Sequence, residues 1–423
     1  MAIALSWHNR RTLTKSYTPA FCAAIALWTT ACAGTQQRPT LAIEHVTVVD
    51  VVDGRLSPDQ TVLISGRRIQ SVSASGEVRV TGGTELLDGR GRYLIPGLWD
   101  MHVHVDLADL PILVAFGITG VRDMGGDFRE VSSWRSRINR GSLLGPRIVA
   151  GGPRLVGPPK TNGAADRVVS NAADGVRAVD SLAALGVDFI KIHEGIPRDA
   201  YFAIAHEARA RHLDFVGHVP ESISPIEASD AGQKSIEHLE FLPDRCLQLF
   251  DANVIAGTTP VTTECNAQNI DRLLTQLAAN KTWLDPTISM FRVYVSPAAY
   301  QAILTGFGKL VPAIRGKRIR ILAGTDMSSP RMKPGRSLHD ELALLVAAGF
   351  TPAEVLRAAT SNAAEFVGMS DSVGLVRRGM LADLVLLAGD PLLDIHNTQR
   401  IVAVIQNGRV VPTMVRIRAG SSP

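Results

Sequence analysis

Two histidines two residues apart, His102 and His104, stand in the apolar run Leu98-Trp99-Asp100-Met101-His102-Val103-His104-Val105, directly after Pro96-Gly97. In a strand, positions i and i+2 share a face. Both imidazoles therefore project together, with Met101, Val103 and Val105 on the other side. Neutral imidazole is the commonest side-chain metal ligand, and a pair of ring nitrogens suits zinc. An isolated H-x-H is equally compatible with two satisfied core histidines. Downstream, Lys191 lies in Val187-Asp188-Phe189-Ile190-Lys191-Ile192-His193, His218 in Phe215-Val216-Gly217-His218-Val219, His238 in Ser235-Ile236-Glu237-His238, and Asp326 closes Ile321-Leu322-Ala323-Gly324-Thr325-Asp326. Taken singly each has a plain structural reading: a snorkelling lysine, core histidines, a helix-capping aspartate. Taken together, all six sit at or near the ends of strand-like segments, in chain order.

Those segments come from an alternating pattern. Candidate strands are 98–105, 119–124, 147–151, 187–193, 214–219, 235–239, 283–288 and 319–325, with helical stretches such as Ala172 to Leu185 and Arg198 to Arg211 between most of them. Alternation argues for a parallel sheet with crossover helices, and eight strands is the barrel count. Residues 243–281 read as an irregular connection. Asp340 to Ala348 and Pro352 to Val367 read as helices, the second opened by Thr351-Pro352. Short β-branched runs flank this region: Leu41 to Val49, Thr61 to Ile64 and Arg68 to Val72 before it, Ala382 to Leu387 and Ile401 to Gln406 after it. Asn407-Gly408 marks a hairpin. The fold class expected is α/β: a (β/α)8 TIM barrel over residues 98–368, with a small β-sandwich domain assembled from both chain ends, 41–97 and 369–423. Barrel enzymes place their chemistry at the C-terminal ends of the strands, where the six residues fall.

The H-x-H, the barrel lysine, the two later histidines and the final aspartate together resemble the amidohydrolase superfamily, over about Leu41 to Val411. The phrases Pro96-Gly97-Leu98-Trp99-Asp100 and Ala382-Asp383-Leu384-Val385 belong to the same resemblance. Within the superfamily the chain is most similar to the branch of imidazolonepropionase-like proteins and metal-dependent Xaa-dipeptidases, as in Ser337-Leu338-His339-Asp340-Glu341-Leu342 and Ala358-Ala359-Thr360. The resemblance implies one or two divalent metal ions, zinc first, held by His102, His104, Lys191, His218, His238 and Asp326. Lys191 would be carboxylated on its amine if the site is binuclear; an apolar strand favours a deprotonated amine there. It further implies hydrolysis of an amide, peptide or cyclic amide bond of a small molecule by a metal-bridging hydroxide, with Asp326 as general acid and base. A lactone or ester hydrolase is the nearest chemical rival. A non-catalytic, metal-stabilised surface binding protein is the rival of another class. His193 shares the face of Lys191 and is read as substrate-facing or as a hydrogen-bonded core group. Arg154 and Lys160 are candidate substrate contacts, and His339 is read as a cap or as lining the mouth rather than as a metal ligand. Asp123 is a candidate for orienting a ligand histidine. Two positions depart from the dipeptidases of this branch. Their Gly-Gly-His stretch is Val156-Gly157-Pro158-Pro159 here, and their tyrosine three residues after the sixth-strand histidine is Phe241. The metal set is therefore expected to carry over and the dipeptide specificity is not.

The chain has 423 residues, 46% of them hydrophobic and 5% aromatic, with 37 glycines, 23 prolines and a formal charge of +4. That length suits one large barrel with a smaller domain. No basic block supports nucleic-acid binding. Residues 1–32 read as an export signal: Arg10, Arg11 and Lys15, then the apolar Phe21 to Trp28, then Thr30-Ala31-Cys32, which resembles a lipoprotein box. Removing those three cations leaves a balance of +1. The expectation is an exported protein, in the periplasm or anchored to the membrane through a lipidated Cys32. Of the other cysteines, Cys22 falls within the signal. Cys246 and Cys265 either pair as a disulfide in an oxidising compartment or remain two buried thiols. A homo-oligomer is expected, although no residue pattern derives it.

Overall fold

The computed structural model describes residues 38–158, 166–240, 242, 266–327 and 331–412. The expectations placed on residues 1–32, with Cys32, and on Lys160, Phe241, Cys246 and Cys265 lie outside these residues.

Strands from both ends of the chain share one mostly antiparallel sheet. It is built from β1 (Leu41–Asp50), β2 (Arg55–Ser65), β3 (Arg68–Ala74), β4 (Glu85–Asp88), β5 (Tyr93–Pro96) and, far downstream, three further strands. Leu384–Leu387 pairs with β5, next to Ile401–Gln406 and then Arg409–Val410. The last two form the expected hairpin, and Asn407 and Gly408 both take positive φ, at 50° and 76°, the backbone a two-residue primed turn requires. Seven of these strands lie on one hydrogen-bonded path and β4 branches from β1, so all eight belong to one paired sheet.

Between them runs the parallel part. Strands β6 (Leu98–Val103), β7 (Ile118–Asp123) and β8 (Arg147–Ala150) form one sheet. Strands β9 (Leu155–Val156), β10 (Arg167–Val168), β11 (Phe189–Ile192), β12 (Asp214–Gly217), β13 (Ser235–Glu237) and β14 (Trp283–Asp285) form another. Asp188 N–H donates to Ala150 O between the two sheets. The eighth segment is not a continuous strand. It bridges β14 at Ile321 and β6 at Met327, and Leu322 N–H and Asp326 N–H donate to Leu284 O and His102 O. Seven of the eight expected strands are therefore ladders and the eighth is a thread. β14 also ends early, because Thr287 turns into the left-handed region (φ 47°) and starts the helix Ile288–Tyr294.

Two helical expectations need correction. Ala267–Asn280, within the stretch read as irregular, is a helix capped by the Asn266 side chain. Pro352 to Val367 is two helices, Pro352–Ala358 and Ser361–Phe366. The break places Ala359 O where it accepts Trp99 N–H from β6. The first of the two opens with the expected Thr351-Pro352, completed by a reciprocal Thr351–Glu354 capping box.

Inside the barrel, same-face residues stack in layers. Phe189, Val216, Trp283 and Leu322 form an apolar cluster with Trp99, Met101 and Phe366. Two residues further along the same strands lie Lys191, His218, Asp285 and Gly324. Period-two projection thus converts an apolar floor into a polar layer within one residue pair. Each fully buried large side chain of the floor contributes roughly 1.5–3 kcal/mol, so the polar layer rests on a stable base.

Candidate metal centre

His102 is fully buried and His104 lies just past the end of β6, its side chain 20% exposed. Asp326 Oδ1 is 3.5 Å from His102 Nε2 and 3.4 Å from His104 Nε2. These three residues bring their donor atoms within 4.8 Å of one another. The His102 ring centroid is 4.7 Å from that of His238, and His238 is 4.7 Å from His218. Lys191 Nζ is buried and has no hydrogen-bond partner, yet its charge acts on His102, His218 and His238. All six residues singled out in the sequence meet at one end of the barrel.

The four histidines turn Nδ1 away from one another. His102 Nδ1 is 3.1 Å from Glu237 Oε2, His104 Nδ1 is 3.0 Å from Gly125 O, and His238 Nδ1 is 2.8 Å from Thr287 Oγ1. His218 Nδ1 lies 2.7 Å from Glu240 Oε1, but off the line of its N–H, so this is proximity rather than a hydrogen bond. A carboxylate or carbonyl partner fixes the proton on Nδ1 and leaves Nε2 with its lone pair. Burial, and then the Lys191 charge, hold His102 and His218 well below the ordinary imidazole value. Burial also lowers His238. These rings are neutral at neutral pH, the form that binds a cation. Burial pushes Asp326 up, but the His102, His104 and His238 rings overcome it and hold the carboxyl well below the usual range. Burial brings Lys191 down to about 8 against the upward pull of Glu237 and Asp326. An unpartnered buried amine, neutral imidazoles and an ionised carboxylate at one point fit a divalent metal centre and a carboxylated lysine.

Below this ring lies a network that the sequence did not announce. Arg122 is fully buried. Its guanidinium donates to Glu237 Oε2 (2.8 Å), Asp285 Oδ2 (3.0 Å), Ser235 Oγ (3.0 Å) and Met101 O, and it stacks 4.8 Å over the Phe366 ring. Since the Glu237 oxygen bound by Arg122 also meets His102 Nδ1, the cation fixes the carboxylate that fixes the histidine. Asp100 is a second clamp. It accepts Thr325 N–H (3.0 Å) and Thr325 Oγ1–H (2.8 Å), tying β6 to the thread that carries Asp326. Backbone geometry contributes as well. His238 (φ 62°) and Asp326 (φ 54°) are both left-handed, a conformation that costs a non-glycine residue about 1–3 kcal/mol and clusters at functional sites.

The remaining candidates divide. His193 lies against His218, ring centroids 4.1 Å apart, so it belongs to the site. Arg154 is committed to a two-pronged pair with Asp166, at 2.8 and 3.0 Å, and is no loose substrate cation. Asp123 does not touch a ligand histidine. It accepts Val105 N–H (3.2 Å) and braces the turn whose Gly125 carbonyl holds His104. His339 is not at the mouth. It is buried, with Nδ1 on Thr398 Oγ1 and Nε2 on Phe116 O, both 2.9 Å, and it ties its helix to the segment before Ile401–Gln406.

A sequence profile described as "Amidohydrolase family" matches residues 93–416. Imidazolonepropionase of Anaeromyxobacter sp. (strain K) is 25% identical over 413 residues, covering 85% of this chain and 92% of that one. Ochratoxinase of Aspergillus niger is 26% identical over 427 residues, 83% of this chain and 82% of the relative. Among solved structures, a Xaa-Pro dipeptidase with bound methionine in its active site superposes with a TM-score of 0.71 at 21% identity, over 88% of this chain and 99% of that one. At that identity the likeness shows the shared fold, an α/β architecture containing a TIM barrel.

Proposed function

The chain belongs to the amidohydrolase family and is a hydrolase of carbon–nitrogen bonds, and on that premise we propose that this pocket cleaves an amide, peptide or cyclic amide bond of a small molecule with Asp326 moving the proton. His102, His104, Lys191, His218, His238 and Asp326 would hold one or two divalent ions, zinc first, with Lys191 taking up CO2 on its unpartnered amine to give a carbamate. Bound metal would polarise the substrate carbonyl and make the attacking water acidic. The residues of the chain do the rest. Asp326 is ionised and faces the two histidines of β6, so it accepts the proton of the attacking water. It then returns that proton to the leaving nitrogen, which amide cleavage requires. Glu237, held by Arg122, and Gly125 O keep His102 and His104 in register. The observation that carries this reading is the buried Lys191 amine without a partner, set among four histidines and an ionised aspartate.

Metal analysis of the purified protein, followed by turnover on a panel of dipeptides, N-acyl amino acids, lactams and esters, tests it. We expect at least one divalent ion per chain and turnover of an amide. In Asp326→Asn, turnover should fall by roughly 10²–10⁴-fold with metal content near wild type. Full activity of Asp326→Asn across the panel would contradict the role given to this residue. A substrate preference for lactones or esters over every amide would favour the ester rival. We also propose that residues 1–32 direct export, to the periplasm or to a membrane through Cys32. Fatty-acid labelling that is lost in Cys32→Ser is the expected result; a full-length, unlabelled protein retained in the cytoplasm would contradict it.

A further inference from the structure

The barrel mouth holds one more imidazole than the six-residue pattern needs. His193 follows Lys191 by two residues, just beyond β11, and therefore shares its face. Its ring lies 4.1 Å from that of His218 with the planes tilted by 32°. Its Nδ1 is buried and has no hydrogen-bond partner. Leaving such a nitrogen unpaired costs about 1–3 kcal/mol. His102, His104 and His238 each have a partner on Nδ1 whereas His193 and its neighbour His218 do not, so these two rings call for a partner of another kind. Donor atoms of His193, Glu194 and His218 come within 4.8 Å of one another, a second convergence point beside the one formed by His102, His104 and Asp326.

We propose that His193 is a metal ligand: with His218, and with the Glu194 carboxylate in reach, it forms a second cation position at the barrel mouth, on the side of β11 and β12. The inference rests on the metal reading of the pocket and adds to it a donor that reading does not use. An imidazole and carboxylate set with room for water suits Zn²⁺, Co²⁺ or Mn²⁺. A hydrogen-bonded core histidine would instead have a protein partner on Nδ1. A purely substrate-facing one would not need its nitrogen grouped with a His218 nitrogen and a Glu194 carboxylate oxygen.

Co²⁺ titration of the metal-stripped, full-length protein, read by visible absorption and by metal analysis after gel filtration, tests this without a substrate. Wild type should take up two equivalents. His193→Gln keeps a hydrogen-bonding side chain but removes the imidazole. It should retain the first equivalent and bind the second roughly tenfold or more weakly, with an altered cobalt spectrum. His193→Asp, which restores an oxygen donor, should recover part of that affinity. Two equivalents bound by His193→Gln with wild-type affinity and spectrum would overturn the inference and leave the metal centre standing. Failure of wild type to bind any Co²⁺ would overturn both. Should the variants misfold, X-ray absorption of the wild-type zinc protein gives the imidazole count directly. Five histidines shared between two ions support the assignment, and four contradict it.

Discussion

At the scale of single residues, the site depends on a relay that begins away from the metal position. Arg122 orients Glu237, and Glu237 orients His102. Glu237→Gln should weaken metal binding by about 10–100-fold, as expected for the loss of a carboxylate behind a ligand histidine. It should also lower the melting temperature, because Arg122 then keeps only Asp285 as its buried anionic partner. Arg122→Met should be costly to the fold. It leaves Glu237 and Asp285 as buried carboxylates without their cation, a loss of roughly 3–5 kcal/mol, measurable by urea unfolding. An Arg122→Met protein of wild-type stability would contradict the network. None of this was legible in the sequence. His102, His104, Lys191, His218, His238 and Asp326 could be read because each is a rare residue type at a strand end. Arg122, Glu237 and Asp285 are common charged residue types on three different strands, and only their arrangement around one barrel interior brings them together.

At the scale of elements, the eighth segment is the least regular, and close approach explains its sequence. A Cβ on Gly324 would stand 2.5 Å from Asp285 Oδ2 and 2.7 Å from His102 Cβ. Gly324→Ala should therefore cost about 1–3 kcal/mol by overpacking and lower turnover through displacement of His102 and Asp326; unchanged unfolding and turnover would contradict the tight approach. Glu341 offers a pH test. Its carboxylate accepts Ile288 N–H (3.0 Å) and Ser289 N–H (2.6 Å) at the start of the helix Ile288–Tyr294. Burial raises it from 4.5 to about 7 against those bonds. Between those two values the folded chain keeps a proton that the unfolded chain releases, so this group's contribution falls as pH rises through the window. The stability of wild type relative to Glu341→Gln should drop by on the order of 3 kcal/mol across that window. Parallel pH profiles for the two proteins would contradict the raised value. Periodicity located most elements, but not the break after Ala358, where Ala359 O accepts the distant Trp99 N–H. It misplaced His339 because the rotation of a helix relative to the mouth is set by packing on Phe116 and Thr398.

At the scale of the whole molecule, the two chain ends depend on each other. Leu384–Leu387 lies between β5 and Ile401–Gln406, and its four residues are fully buried. A chain ended before Leu384 would leave β5 paired only with β1 and expose the cluster of Leu41, Ile43, Val62, Leu94 and Met380. Such a truncation should accumulate as insoluble protein; a soluble, cooperatively folding product would contradict the shared sheet. The β-branched runs at both ends made this sharing legible, because neither set alone buries its apolar face. No helix among the described residues is long and apolar enough to cross a membrane. Lys191, His102 and Asp326 are far apart in the chain, and the barrel alone makes them neighbours. The central claim is that they and His104, His218 and His238 surround a divalent ion. A crystal structure with anomalous scattering recorded at the zinc edge tests that claim most directly. The expected result is a peak within coordination distance of His102 Nε2, His104 Nε2 and Asp326, with extra density on Lys191 Nζ. A protein shown to be catalytically active, with no anomalous peak in this pocket and with Lys191 turned away from the histidines, would contradict it.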